Sequence, residues 1–218
     1  MKLRNCFLGL GMVLLVVSLA AAQENYVNHG VAGVRGLHSH GVLPPTPVLD
    51  NCGTACTSYD TASGYYLSGS AAADGPGQTL AIGFTAAKST KFKSALTPNT
   101  NYIGVAGVIH AYLLNGTVTG GPTTQVAALF HTGAIPDYPT IKVVRYTAKK
   151  AVTFKKGQTY FLCETVPAPT AVFLWMLSNS DTTDPFWFQV GNSCTSKSVT
   201  WLNATGSTAA AAEITAGN

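Results

Sequence analysis

The chain has 218 residues, of which 10% are charged, and its 13 Lys and Arg stand against 9 Asp and Glu for a formal net charge of +4. So even a balance excludes the basic footprint of a nucleic-acid-binding domain. Disorder is excluded as well, since it needs high charge and few apolar side chains, whereas 46% of these residues are hydrophobic and 10% aromatic.

In chain order, Lys2 and Arg4 precede an uncharged apolar run from Phe7 to Leu19, followed by Ala20, Ala21 and Ala22. This is the pattern of a signal peptide (residues 1–22), with cleavage expected after Ala22. The run is too short to cross a hydrocarbon core of about 30 Å, so no membrane span is expected in the mature chain. Cleavage removes Cys6 and takes the net charge from +4 to +2, because Lys2 and Arg4 leave with the peptide. Residues 23–50 read as a flexible Gly/His/Pro-rich extension that ends in Pro44, Pro45 and Pro47. Its His29, His38 and His40 are candidate ligands for an adventitious transition metal.

Residues 51–218 read as one domain. Short runs rich in aromatic and β-branched side chains recur between Gly, Pro, Asn and Asp, the signature of an all-β antiparallel sandwich. Ten strands are expected: Tyr65 to Ser68, Gln78 to Thr85, Val105 to Leu114, Gln125 to His131, Ile141 to Tyr146, Thr159 to Val166, Val172 to Leu177, Phe186 to Val190, Ser198 to Leu202 and, weakly, Ala211 to Thr215. In Val172 to Leu177 both alternating faces are apolar, which predicts a strand covered on each side with Trp175 in the core. In Phe186 to Val190 the alternation puts Phe186, Phe188 and Val190 on one face and Trp187 with Gln189 on the other, so Trp187 is expected to be exposed. Lys149, Lys150, Lys155 and Lys156 read as a solvated strand edge.

Four cysteines remain after cleavage: Cys52, Cys56, Cys163 and Cys194. An even count in an exported chain points to two disulfides, a framework that suits an oxidising compartment. Three pairings exist, and Cys52 with Cys56 plus Cys163 with Cys194 is preferred. The Cys-x-x-x-Cys spacing is not that of most structural zinc knuckles.

The order of the pieces also resembles a known family. Leu129-Phe130-His131-Thr132-Gly133-Ala134-Ile135-Pro136, followed by Ala151 through Gly157-Gln158-Thr159-Tyr160-Phe161-Leu162, looks like the β-sandwich domains of bacterial choice-of-anchor proteins. Phe173-Leu174-Trp175 and Asn192-Ser193-Cys194 to Trp201 continue a similar layout, as does Tyr59-Asp60 to Phe84, over about residues 59–215. The turn Gly133 to Pro136 is one residue longer than the family's pattern. The resemblance implies a jelly-roll-like domain of an exported bacterial protein. The ending Ile214 to Asn218 has no hydrophobic tail, basic cluster or sorting motif, which favours a freely secreted or periplasmic form.

Reactive constellations are scarce. A glycosidase needs two carboxyl groups about 5 to 9.5 Å apart, and Glu164 with Asp181 or Asp184 is the pair to test. No Gly-x-Ser-x-Gly elbow is present, and His110 and His131 fall within strand candidates without an evident orienting carboxylate. The run Ser178 to Pro185 offers Asn179, Asp181 and Asp184 as oxygen ligands of the kind calcium prefers, although turn chemistry explains the same residues. The expectation is therefore a non-catalytic extracellular binding or structural module. Its natural ligand class is carbohydrate, as a polysaccharide or cell-surface component, held by exposed rings for which Trp187, Trp201 and Tyr138 are the candidates. The alternative is a secreted glycoside hydrolase built on Glu164 with Asp181 or Asp184.

Overall fold

The computed structural model describes residues 46–72, 77–104, 107–179, 181, 183–195 and 200–217. The signal peptide, the histidines of the extension and its first prolines lie outside the described residues. Thirteen strands and one 3-10 turn follow in order: β1 (Thr46–Asp50), the turn (Thr54–Cys56), β2 (Tyr59–Ser68), β3 (Gln78–Thr85), β4 (Thr90–Ile103), β5 (His110–Thr117), β6 (Gly121–Phe130), β7 (Lys142–Ala148), β8 (Thr153–Phe154), β9 (Thr159–Thr165), β10 (Val172–Ser178), β11 (Phe186–Val190), β12 (Leu202–Asn203) and β13 (Glu213–Gly217). All their ladders are antiparallel. The all-β antiparallel expectation is met.

Eight strands close on themselves in the order β4, β10, β2, β3, β9, β5, β6, β7 and back to β4. The ladders thus join into one barrel-like sheet instead of the two separate sheets expected of a sandwich. Two seams of this ring are thin: β2 meets β3 through Ser68 opposite Gln78, and β6 meets β7 through Leu129 and Phe130 opposite Ala148 and Thr147. β13 and β1 extend the sheet from the first half of β4, while β11 and β12 extend it from β3.

The sequence reading omits β4, the longest strand and the spine of the ring. Its run Thr97-Pro98-Asn99-Thr100-Asn101 is polar and carries a proline, which ordinarily argues against a central strand. Pro98 is tolerated because it falls between the stretch of β4 paired with β13, Lys91 to Leu96, and the stretch paired with β10, Asn99 to Ile103. One edge of β4 has no ladder partner there. β1 is a second difference, since Thr46–Asp50 lies inside the expected extension yet pairs with β13. β8 is a two-residue strand too short to read, and the expected strand Ser198 to Leu202 meets β12 only at Leu202, its first two residues lying outside the described ones.

Alternation along each strand sorts side chains into an interior and two outer clusters. The interior takes Leu67 from β2, Leu80, Ile82 and Phe84 from β3, Leu113 from β5, Tyr160 and Leu162 from β9, and Phe173 and Trp175 from β10. Trp175 is fully buried as expected, and its indole N–H donates to the Ala211 carbonyl at 2.8 Å. On one outer face the Cys163–Cys194 disulfide packs with Ala81, Leu114, Phe161 and Trp187. On another, the Cys52–Cys56 disulfide packs with Leu96 and Ala211. Both preferred pairings are present.

Candidate functional site

Among the described residues, three tyrosines form an exposed row. Tyr66, on the outward face of β2, is 42% exposed, Tyr102 near the end of β4 is 44%, and Tyr138 in the β6–β7 connection is 47%. The Tyr66 and Tyr102 ring centroids are 5.7 Å apart with planes at 49°, and Tyr102 and Tyr138 are 5.9 Å apart at 77°. The fold produces the row by register. Leu174 of β10 lies opposite Tyr66 on one side and opposite Thr100 on the other, and the ladder to β4 shifts between Val172 and Phe173, a bulge beside Tyr102. Such a bulge re-aims the side chain next to it.

The loop that carries Tyr138 is clamped to β4. The Tyr138 N–H donates to the Asn101 carbonyl at 2.8 Å, and the Asn101 N–H donates to the Pro136 carbonyl at 2.8 Å. The Asn101 side chain also donates to Asp137 Oδ1 at 2.6 Å. Tyr138 is thus held beside Tyr102 by backbone and side-chain bonds together. Of the three aromatic candidates read from sequence, only Tyr138 is strongly exposed.

Trp187 is enclosed, not exposed as the alternation alone predicts. It is 5% exposed and sits in the outer cluster over Phe161 and the Cys163–Cys194 bridge. The alternation along β11 is as read, with Phe186 in the interior and Trp187 on the opposite face. That opposite face is covered instead of solvated, partly by Gly121, where an added Cβ would come within 2.9 Å of the indole ring. Trp201 is half-buried against the same cluster.

The loop between β10 and β11 gathers Asp181 and Asp184 around Asn51. The Asn51 amide donates to Asp181 Oδ2 at 3.1 Å, to Asp184 Oδ2 at 3.3 Å and to the Ala210 carbonyl at 3.2 Å, and its own oxygen accepts from the Ala212 N–H at 2.7 Å. Asp181 Oδ1 also accepts from the Thr183 N–H at 2.7 Å and hydroxyl at 2.9 Å, a turn-type arrangement. Asn179 turns elsewhere and donates to the Ser58 hydroxyl at 3.0 Å. The two aspartates line a cleft of about 800 Å³ together with Asp50, Asn51 and Phe84.

The two carboxyl groups titrate as a pair. Burial and the neighbouring carboxylate push Asp184 up to about 7. Burial alone would raise Asp181 too, but bonds from Asp184, Thr183 and Asn51 bring it down to about 2. Between these values Asp184 keeps its proton and donates it to Asp181. No three His, Cys, Asp or Glu side chains gather as a metal centre among the described residues.

Glu164, the third carboxyl group of the suggested hydrolytic pairs, sits apart from the two aspartates. It is fully buried, on the interior face of β9 with Tyr160 and Leu162. Glu164 Oε1 accepts from the Thr97 hydroxyl at 2.7 Å and the Asn99 amide at 3.4 Å. The Tyr146 hydroxyl, from β7, lies close enough to favour the ionised carboxylate but short of good hydrogen-bond geometry. Burial outweighs these contacts and raises Glu164 to about 7, while Tyr146 is raised well above its ordinary value by burial and by the carboxylate. Glu164 does not line the cleft of Asp181 and Asp184, so the carboxyl pair suggested for hydrolysis is not brought together there. His110 is exposed on β5, and His131 lies just beyond β6 with its ring against Tyr146 at 5.4 Å. Burial lowers the His131 pKa.

Sequence reading misses Tyr66 and Tyr102 because their neighbourhood is set by pairing across β10, which no local pattern records. It misses the interior setting of Glu164 for the same reason that it misses β4. No family model matches the chain, and no curated protein or solved structure matches it either.

Proposed function

We propose that the protein is a secreted, non-catalytic carbohydrate-binding module whose contact surface is the row Tyr66, Tyr102 and Tyr138. The observation that carries this reading is the row itself: three large exposed rings, Tyr102 between the other two, with two on strands and the third clamped to the sheet. Isolated exposed apolar residues are ordinary, but contiguous ones mark interaction surfaces. A phenol ring offers a flat apolar face to the C–H face of a sugar and a hydroxyl to its rim, so tyrosine suits such a ligand. The 49° and 77° angles between neighbouring planes make the row a faceted surface, better matched to a single glycan chain than to a flat crystalline polymer.

Export is part of the same proposal. The amino-terminal pattern supports it, as do two disulfides of the kind that persist in oxidising compartments. No helix among the described residues is long and apolar enough to cross a membrane. In this proposal the closed ring is a jelly-roll-like barrel. Its two thin seams divide the ring into a layer of β7, β4, β10 and β2 and a layer of β3, β9, β5 and β6, akin to the sandwich of choice-of-anchor domains.

The test is retention of the purified protein on an array of polysaccharides, with and without calcium, followed by assay for released sugars. Retention without released sugar, reduced about tenfold by Tyr138→Ala and by Tyr102→Ala, is the expected result. Released sugar that disappears in Asp181→Asn or Asp184→Asn would replace this reading with a hydrolase built on the two aspartates of the cleft.

A further inference from the structure

Inside the ring, β4, β7 and β9 place four polar side chains together: Thr97, Asn99, Tyr146 and Glu164, every one fully buried. Three of their atoms, Glu164 Oε2, Asn99 Oδ1 and the Tyr146 hydroxyl, are buried without a hydrogen-bond partner. Buried polar atoms in native proteins are nearly always satisfied, so three in one cluster call for an explanation. Counting donors supplies it. With Glu164 protonated, its O–H and the Tyr146 O–H can serve the free acceptors. With Glu164 ionised, the cluster has two unpartnered buried acceptor oxygens, Glu164 Oε2 and Asn99 Oδ1, and a single unpartnered donor, the Tyr146 O–H, which lies beside the carboxylate. The ionised cluster therefore holds an excess of oxygen and one negative charge in a buried setting.

We propose that this cluster is a binding site for a small monovalent cation, which takes the place of the Glu164 proton. Carboxylate, amide carbonyl and hydroxyl oxygens are the ligands that hard cations prefer. One carboxylate among neutral oxygens balances a single positive charge, whereas a divalent ion would leave a net charge buried. The titratable group that faces Glu164 is Tyr146, and no basic side chain contributes to the pKa of Glu164. His131, half-buried, abuts the Tyr146 ring and puts the cluster one side chain from solvent. Burial first, and the nearby Lys142 after it, lower the His131 pKa and so disfavour a competing imidazolium beside the cluster.

The test is the thermal midpoint of the whole protein in sodium chloride against choline chloride at equal ionic strength, at pH 8 and pH 5. Sodium is expected to raise Tm at pH 8 by about 3–6 °C at tenfold excess over its dissociation constant, and to have no effect at pH 5. Glu164→Gln abolishes the response, whereas Asp184→Asn, in the separate cleft, preserves it. Equal midpoints in the two salts at pH 8, a response that persists at pH 5, or one lost in Asp184→Asn would each overturn the proposal. The comparison on the unsubstituted protein decides the matter even if Glu164→Gln fails to fold.

Discussion

At the scale of single residues, the clearest physical signature is a carboxyl group inside the barrel. Glu164 is raised from the usual carboxylate range to about 7 because burial penalises its charge more than Thr97, Asn99 and Tyr146 favour it. A group whose folded pKa is raised stabilises the fold below its unfolded pKa and loses that contribution as pH climbs through the folded value. In choline chloride the protein should therefore lose about 3 kcal/mol of stability between about pH 4.5 and pH 7 from this residue. Glu164→Gln should flatten that loss and exceed the parent at pH 8 in urea denaturation; an unchanged pH profile in the variant would refute the assignment. Trp187 poses the complementary case. Because it is enclosed over Phe161 and the Cys163–Cys194 bridge, Trp187→Ala should cost about 3–5 kcal/mol of stability. Sugar retention should be unchanged under conditions where the variant is folded, which separates a packing tryptophan from a binding one.

At the scale of elements, two disulfides and one asparagine tie strands that the chain brings together late. Cys163 and Cys194 are 31 residues apart and fasten β9 to the segment after β11, whereas Cys52 and Cys56 are 4 apart and shape a turn against β4. If cross-links act by restricting the unfolded chain, replacing Cys163 and Cys194 by serine should cost about 4 kcal/mol, and replacing Cys52 and Cys56 about 2 kcal/mol. Chemical denaturation of the two double variants gives the ratio directly, and a larger loss from the short loop would mean that its packing against Leu96 dominates. Asn51 joins the end of β1 to the β10–β11 loop and to Ala210 and Ala212. Asn51→Ala leaves Asp181 and Asp184 without their shared donor and should cost about 3 kcal/mol, measurable as a lower urea midpoint. The expected calcium ligands look different in this light, since Asp181 is occupied by its own loop and Asn179 by Ser58.

At the scale of the whole molecule, closure of the ring converts local patterns into sites. Pairing of β2 and β4 on either side of β10 sets Tyr66 beside Tyr102, and the clamp between Asn101 and the β6–β7 loop adds Tyr138. A glycan-binding role predicts that Tyr102→Ala and Tyr138→Ala each weaken retention about tenfold with no change in Tm, because both rings lie on the surface; equal retention of all three proteins would leave the row a structural feature. By itself the sequence determined what depends on neighbours along the chain. The alternation in Val172 to Leu177 identified a strand covered on both faces, the burial of Trp175 followed from it, and the four cysteines marked a two-disulfide framework. Only the tertiary structure decided what depends on partners far away in sequence. Thr97, Asn99 and Glu164 look like solvent-facing polar residues until β4 and β9 turn them toward each other inside the ring, and this is why the longest strand was illegible. Trp187 shows the converse, for alternation predicts which face a side chain occupies, but only the elements packed on that face determine whether water reaches it.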